Sequence, residues 1–311
     1  MDSSKKPLIV AAALQYMKDH RMSMNEMQAK CNINIAYLSA MLKGEEKLPN
    51  GTIIKDSWFE KLADEIGYSL ERNIWPHIKT IQFKQIISAL TDAKNGDSSS
   101  SLRAVLGPAG FCKTDSVTRF REKNPKHTYL VTVSDQMNMS DVVNELLGQL
   151  GLPMTGSKHA RYVAISVKLR NIKNEGGSPL LIIDEAENSK RPLLRMLKSL
   201  YDGINKHCVI VLIGTDQLED RLLRDVKKNV LGMPQFHSRL KSGITYLSTE
   251  KEFELFFDKL NVDRELRKYL SQQCDSYREL SQYLAPALNE AEKQNEPLTL
   301  KTFKKFMGIA A

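Results

Sequence analysis

The spacing of apolar residues along the chain changes character twice. From Pro7 to Leu70 apolar positions recur only at helical intervals. Pro7 to His20 reads as a helix, and Ser23 is a predicted N-cap whose capping box is completed by Glu26 three residues on. Met27, Cys31, Ile33, Leu38, Met41 and Leu42 then fit a short helix, a tight turn and a second helix. The turn falls at Asn32-Ile33-Asn34, where asparagine tolerates a left-handed backbone. Gly44 ends the second helix, and Trp58, Leu62, Ile66 and Leu70 close a small all-helical unit. Asn73-Ile74-Trp75-Pro76 breaks the pattern and reads as a linker.

After a helix from Ile81 to Ala93 and a Ser-rich loop over 95–101, short apolar runs alternate with amphipathic stretches. The runs Ala104 to Leu106, Tyr129 to Val133, Pro179 to Ile183 and Cys208 to Ile213 predict strands. Between them lie a helix capped by Ser140, one from Tyr162 to Ile172, and one through Leu193, Leu194, Met196, Leu197 and Leu200. Continuous apolar strands separated by helices predict an α/β fold, a parallel sheet with helices on both faces. From about Glu250 strand signals stop, and Phe253 to Phe306 reads as helices only. The expected division is 1–72, 73–247 and 248–311.

Composition narrows the class. With 311 residues, 41% hydrophobic and 26% charged, the chain can bury two or three cores. A net charge of +8 favours polyanionic partners, nucleic acid first. Four scattered cysteines without a C-x-x-C pair argue against zinc ribbons and disulfide scaffolds and fit a reducing cytosol. Lys5-Lys6 precede the apolar run Leu8 to Leu14, but that run is short, lacks a cleavage site and leads straight into Lys18, Asp19, His20 and Arg21. No stretch approaches the ~20 apolar residues of a membrane span. The expectation is a cytoplasmic protein without a membrane partner.

The chemistry concentrates in four stretches. The first predicted strand runs into Gly107-Pro108-Ala109-Gly110-Phe111-Cys112-Lys113-Thr114-Asp115, the pattern G-x-x-x-x-G-K-[ST] with Cys112 where the second glycine belongs. Such a loop turns its backbone N–H groups and a helix N-terminus toward nucleotide phosphates. Lys113 would reach the β- and γ-phosphates and Thr114 would ligate Mg²⁺. Cys112 could crowd the phosphates or deny a backbone angle open to glycine. The strand ending in Asp184-Glu185 supplies a second metal ligand, Asp184, and a general base, Glu185. Thr215 follows the next strand, placed either to touch the attacking water or γ-phosphate or to cap the following helix. Arg239, in a loop after Gly232, and Arg278, on the first turn of a late helix, are candidate phosphate contacts, Arg239 from a neighbouring subunit.

This ordered set resembles the AAA+ ATPases over about Lys79 to the C-terminus, and within them the transposition ATPases typified by the phage Mu target-selection protein MuB. The resemblance implies an AAA+ core over 73–247, a helical lid over 248–311, ATP and Mg²⁺ as cofactors, and assembly as a ring or helical filament on double-stranded DNA. It further implies recruitment and stimulation of a transposase, with ATP hydrolysis driving disassembly.

The stretch 1–72 resembles a phage-repressor helix-turn-helix, which would place Ile35 to Leu42 in a major groove with Asn34, Tyr37, Ser39 and Lys43 toward DNA. Lys158, Arg161, Lys190 and Arg191 in the core are further DNA candidates, with Lys168 and Arg170 beside them; solvated helix faces are the bland alternative for each. Two other roles share the same nucleotide site: a helicase loader or replication-initiation ATPase, and a DNA binder that senses ATP without hydrolysing it.

Overall fold

A computed structural model describes residues 5–20, 22–68, 75–96, 101–204 and 206–309. The expected helical position Leu70, linker residues Asn73 and Ile74, and the serines at 98–100 lie outside the described residues. The chain divides into two compact units: Met1–Trp75 with Leu288–Glu296, and Pro76–Ala287 with Pro297–Ala311.

In the first unit, α1 (Lys5–Asp19), α2 (Met24–Cys31), α3 (Ile35–Leu42) and α4 (Asp56–Glu65) enclose a core of Ile9, Ala13, Met27, Cys31, Leu38, Met41, Phe59 and Leu62, each at most 1% exposed. Ser23 and Glu26 form the reciprocal capping box that starts α2. Asn32 ends that helix at φ 48°, ψ 47°, and Asn34, two residues on, caps α3 by accepting from the Ala36 amide at 2.9 Å. The pair α2–α3 leaves Asn34, Ile35, Ala36 and Lys43 exposed and Tyr37 and Ser39 half-buried.

The second unit begins with α5 (Ile81–Asn95), β1 (Leu102–Leu106), α6 (Lys113–Lys123), β2 (Thr128–Thr132), α7 (Met139–Gln149) and α8 (Lys158–Asn174). It continues with β3 (Leu180–Asp184), α9 (Arg191–Ile204), β4 (Val209–Gly214), α10 (Asp216–Lys227), α11 (Met233–Leu240) and β5 (Ile244–Tyr246). Then come α12 (Phe253–Lys259), α13 (Arg264–Gln273), α14 (Tyr277–Gln294), whose residues from Leu288 on are counted with the first unit, and α15 (Leu300–Met307). The five described strands form one parallel sheet in the order β2-β3-β4-β1-β5.

Both sheet faces are covered. Ile86, Leu90, Val117 and Phe120 of α5 and α6 pack on Val105, Ile182, Val211 and Ile213; residues of α7 to α11 pack on Ala104, Leu181, Ile183 and Leu212. All five residues of β3 are buried, as a strand sandwiched between helix layers requires. Each such Leu or Ile contributes about 1.5–3 kcal/mol by leaving water.

Three local expectations change. Asn138, with Asp141, caps α7 in place of Ser140, because its carboxamide reaches the Ser140 amide at 2.7 Å. The segment after Gly232 is a helix and not a loop: Pro234 stands in its first turn, and Met233, Phe236 and Leu240 bury its inner face. An unforeseen fifth strand, β5, pairs beside β1 with only three residues.

Candidate nucleotide site

The site lies where β1, β3 and β4 end on the same side of the sheet, the position at which parallel α/β sheets collect ligands. β1 and β4 are direct neighbours, and the Gly107 amide donates to the Gly214 carbonyl at 3.1 Å, so the loop springs from the sheet centre. Gly110 carries φ +77°, and a Cβ there would stand 2.6 Å from Ser276. Both the angle and the close approach call for glycine.

Cys112 is the N-cap of α6 at φ 55°, ψ 25°. The residue thus adopts the left-handed angle that glycine would take, and that angle is not denied to the loop. Its carbonyl accepts from the Ser116 amide at 3.0 Å and hydroxyl at 2.7 Å. Burial pushes the Cys112 thiol up to about 11, which keeps it neutral beside the phosphate loop at ordinary pH.

Lys113 is 7% exposed and its ammonium donates to the carbonyls of Gly107 at 2.8 Å and Pro108 at 2.7 Å. Burial lowers its pKa, opposed by the charges of Glu187, Glu185 and Asp184 in that order. Thr114 and Asp115 are exposed on the first turn of α6; Asp115 pairs with Arg119 at 2.9 Å and faces His77 at 3.6 Å. Burial, reinforced by Arg119, holds the His77 pKa down despite Asp115.

Asp184 closes β3 at 1% exposure, and both carboxylate oxygens are buried without a hydrogen-bond partner. The Thr114 hydroxyl and the Glu185 amide face it without completing a bond of normal geometry, and burial raises its pKa. A buried carboxylate left in this state is costly unless a cation or water completes it, so the donor set Thr114–Asp184 fits Mg²⁺. Glu185 follows in the left-handed region, φ 52°, ψ 42°, and begins a 3-10 turn over Ala186–Asn188. Burial and the neighbouring Glu187 and Asp184 raise its pKa.

Thr215 starts α10 but makes no side-chain cap, and its hydroxyl is buried and unpartnered. The capping alternative is therefore not the one adopted. Glu187, absent from the expected set, lies against Gly214: one carboxylate oxygen would sit 2.6 Å from a Cβ placed there, and it is buried without a partner. A third acid two residues past Asp184-Glu185 was its only sequence signal.

The second arginine, Arg278, is on the first turn of α14, where its amide donates to the Gly110 carbonyl at 3.2 Å. Beside it, Tyr277 is 1% exposed; its ring meets Phe111 edge-on at 5.3 Å, and its hydroxyl donates to Gln82 at 3.0 Å and accepts from the Glu252 amide at 3.0 Å. Arg239 is elsewhere engaged, bonded to Asp202 at 2.8 Å and to the Gln235 carbonyl at 2.9 Å. Gly107, Pro108, Ala109, Gly110, Phe111, Cys112, Lys113 and Thr114 thus gather with Asp184, Glu185, Thr215 and Arg278 within one unit, whereas Arg239 is bonded to Asp202 and Gln235.

The DNA candidates fare unevenly. Lys43, Lys158 and Lys190 are exposed. Arg161 instead donates to Asn144 at 2.8 Å, and Arg191 holds Asp225 with two bonds of 2.8 and 2.6 Å. Asn34 spends its side-chain oxygen on the cap of α3, and Tyr37 stacks on Trp58 at 5.7 Å. No helix among the described residues is long and apolar enough to cross a membrane.

Residues 96–222 match the AAA_22 family, an AAA domain. No curated protein matches the chain. Among solved structures, the ORC2 protein of Aeropyrum pernix in its ADPNP–ADP complexes is similar at 18% identity and TM-score 0.54, covering 76% of this chain and 71% of that one. Cdc6p of Pyrobaculum aerophilum is similar at 16% identity and TM-score 0.51, covering 73% of this chain and 65% of that one, just under two thirds. At such identities the likeness speaks for the fold. Residues 96–222 are thus similar to an AAA domain and supply four strands, β1 to β4, of the five-stranded parallel sheet, whose arrangement is the AAA+ fold.

Proposed function

We propose that this chain is an ATP-dependent DNA-binding ATPase that assembles on duplex DNA and passes its nucleotide state to a DNA-processing partner. The observation that carries the nucleotide half is the Asp184 carboxylate, buried with both oxygens unpartnered at the end of β3 and facing Thr114 and Lys113. In this reading Thr114 and Asp184 would hold Mg²⁺, which would supply neutralising charge to the phosphates. Lys113 leaves the Gly107 and Pro108 carbonyls to meet the same phosphates. Glu185 takes the proton of the attacking water, Thr215 orients that water, and Arg278 approaches from α14. Arg239 serves as a finger only in an oligomer, exchanging Asp202 for a neighbour's nucleotide.

Exposed Asn34 and Lys43, which flank α3, and the net charge of +8 support DNA as the surface of assembly. For the partner, the fold likeness to ORC2 and Cdc6p supports a replication-initiation or helicase-loading role. The repressor-like helix-turn-helix ahead of the AAA domain supports the second reading, a MuB-like regulator that recruits a transposase.

Electron microscopy with duplex DNA tests the common core of both: rings or filaments that need ATP support it, and ATP-independent binding at one defined site overturns it. Affinity capture on DNA in ATP then separates the partner readings, a helicase for the first and a transposase for the second.

A further inference from the structure

The acidic turn after β3 is strained and pinned. Glu185 sits at φ 52°, ψ 42°, an angle that costs a side-chain-bearing residue energy and persists only where the surroundings over-determine it. Two side chains do this. Asn188 donates to the Val133 carbonyl, just beyond β2, at 3.0 Å. From the opposite side Arg221 of α10 donates one terminal nitrogen to the Glu187 carbonyl at 2.7 Å and the other to the Ser189 carbonyl at 2.7 Å.

Arg221 is unusual in how it spends its charge. It is half-buried, yet the acid one turn on, Asp225, is taken in bidentate fashion by Arg191. The Arg221 guanidinium is given to two backbone carbonyls flanking Asn188. A planar fork can meet both at once, whereas a lysine ammonium on one stem is a single point. The helix that carries it begins at Thr215, so the same rigid element presents the unpartnered Thr215 hydroxyl and grips the turn bearing Glu185 and Glu187.

We infer that Arg221 is a positioning residue for hydrolysis: its fork across the Glu187 and Ser189 carbonyls holds the acidic turn in the strained form that keeps Glu185 fixed relative to Thr215. The inference rests on the nucleotide-site reading above and deepens it. Releasing the fork lets Glu185 relax out of the left-handed region and carries its carboxylate off line. Phosphate binding, which depends on the loop from Gly107 to Thr114, is left in place.

Arg221→Ala and Arg221→Lys test this in the full chain, with equilibrium binding of a fluorescent ATP analogue, steady-state ATP hydrolysis, thermal melting and amide hydrogen exchange. Arg221→Ala is expected to lower turnover on the order of 10²-fold, the cost of a misplaced catalytic group, while analogue affinity stays within about threefold. Arg221→Lys recovers part of the turnover. In nucleotide-free Arg221→Ala protein, exchange rises at amides 186–189, in the turn after β3, before it rises in the strands of the sheet. Unchanged turnover in Arg221→Ala overturns the inference, as does a fall in affinity matching the fall in turnover. Should Arg221→Ala not fold, wild-type turnover in Arg221→Lys overturns it equally. An unsubstituted chain that binds no analogue defeats the nucleotide reading itself; one that binds the analogue but hydrolyses nothing defeats only the positioning role.

Discussion

The backbone amide of Arg278 donates to the carbonyl of Gly110 at 3.2 Å, so the first turn of α14 rests directly on the phosphate loop. Gly110→Ala should break this seat. A side chain at φ +77° costs about 1–2 kcal/mol, and its Cβ meets Ser276 at 2.6 Å. The melting temperature should fall about 2–4 °C for each kcal/mol lost in a unit of this size. Differential scanning calorimetry checks it, and an unchanged transition would show that the loop and α14 part without cost.

Cys112 already holds the glycine-like angle, which limits what restoring glycine can achieve. Cys112→Gly should raise ATP affinity by no more than about tenfold, or about 1.4 kcal/mol. Stability should barely move, because relief of the left-handed angle, about 1 kcal/mol, is offset by the added freedom of glycine in the unfolded chain. Cys112→Val cannot take φ 55° without strain and should lose binding. Isothermal titration of the two variants separates crowding by the thiol from backbone geometry.

Asp184→Asn should stabilise the nucleotide-free protein by about 1 kcal/mol, because it removes a buried charge that has no partner. The same change should abolish the Mg²⁺ dependence of ATP binding. Melting curves with and without Mg²⁺ and ATP read both effects, and a destabilised variant would refute the account of an orphaned carboxylate.

Hydrogen bonding from Arg191 is the largest influence on Asp225, and it holds this buried carboxyl below the usual carboxylate range. A folded-state pKa below the unfolded one means stability that is present above the ordinary carboxylate range and is lost as pH falls through the lowered value. Arg191→Met should flatten that acid limb in melts from pH 7 down to about pH 3. If Arg191 serves DNA instead, the variant will change the salt dependence of DNA binding and leave the acid limb intact.

Lys43 is exposed just past α3. Lys43→Ala should weaken binding to all duplexes alike and reduce the salt slope by about 1, as loss of one phosphate contact does. Fluorescence anisotropy over a salt series on two unrelated sequences is the measurement.

Much of this molecule was legible because its signals are local. The runs that became β1 to β4 are near-continuous apolar stretches, and the Ser23–Glu26 box and the Asn32 turn are written in adjacent residues. β5 escaped because its three residues are half-buried or exposed and gain their place only by pairing with β1. Helix α11 hid behind Gly232, whose left-handed angle begins a helix here where glycine more often ends one. Glu187 and Arg221 could not be read in advance, since their meaning depends on which backbone carbonyl or glycine lies opposite.

The Tyr277 ring touches the phosphate loop at Phe111, while its hydroxyl bridges Gln82 of α5 and the Glu252 amide before α12. One aromatic side chain is therefore a common fulcrum for the element ahead of β1, the loop itself and the helices that follow β5. A push on Phe111 would reach α5 and the segment before α12 together, as torque about a single pin. Tyr277→Phe would leave the pin in its socket but strip its two latches, turning a geared motion into an independent one.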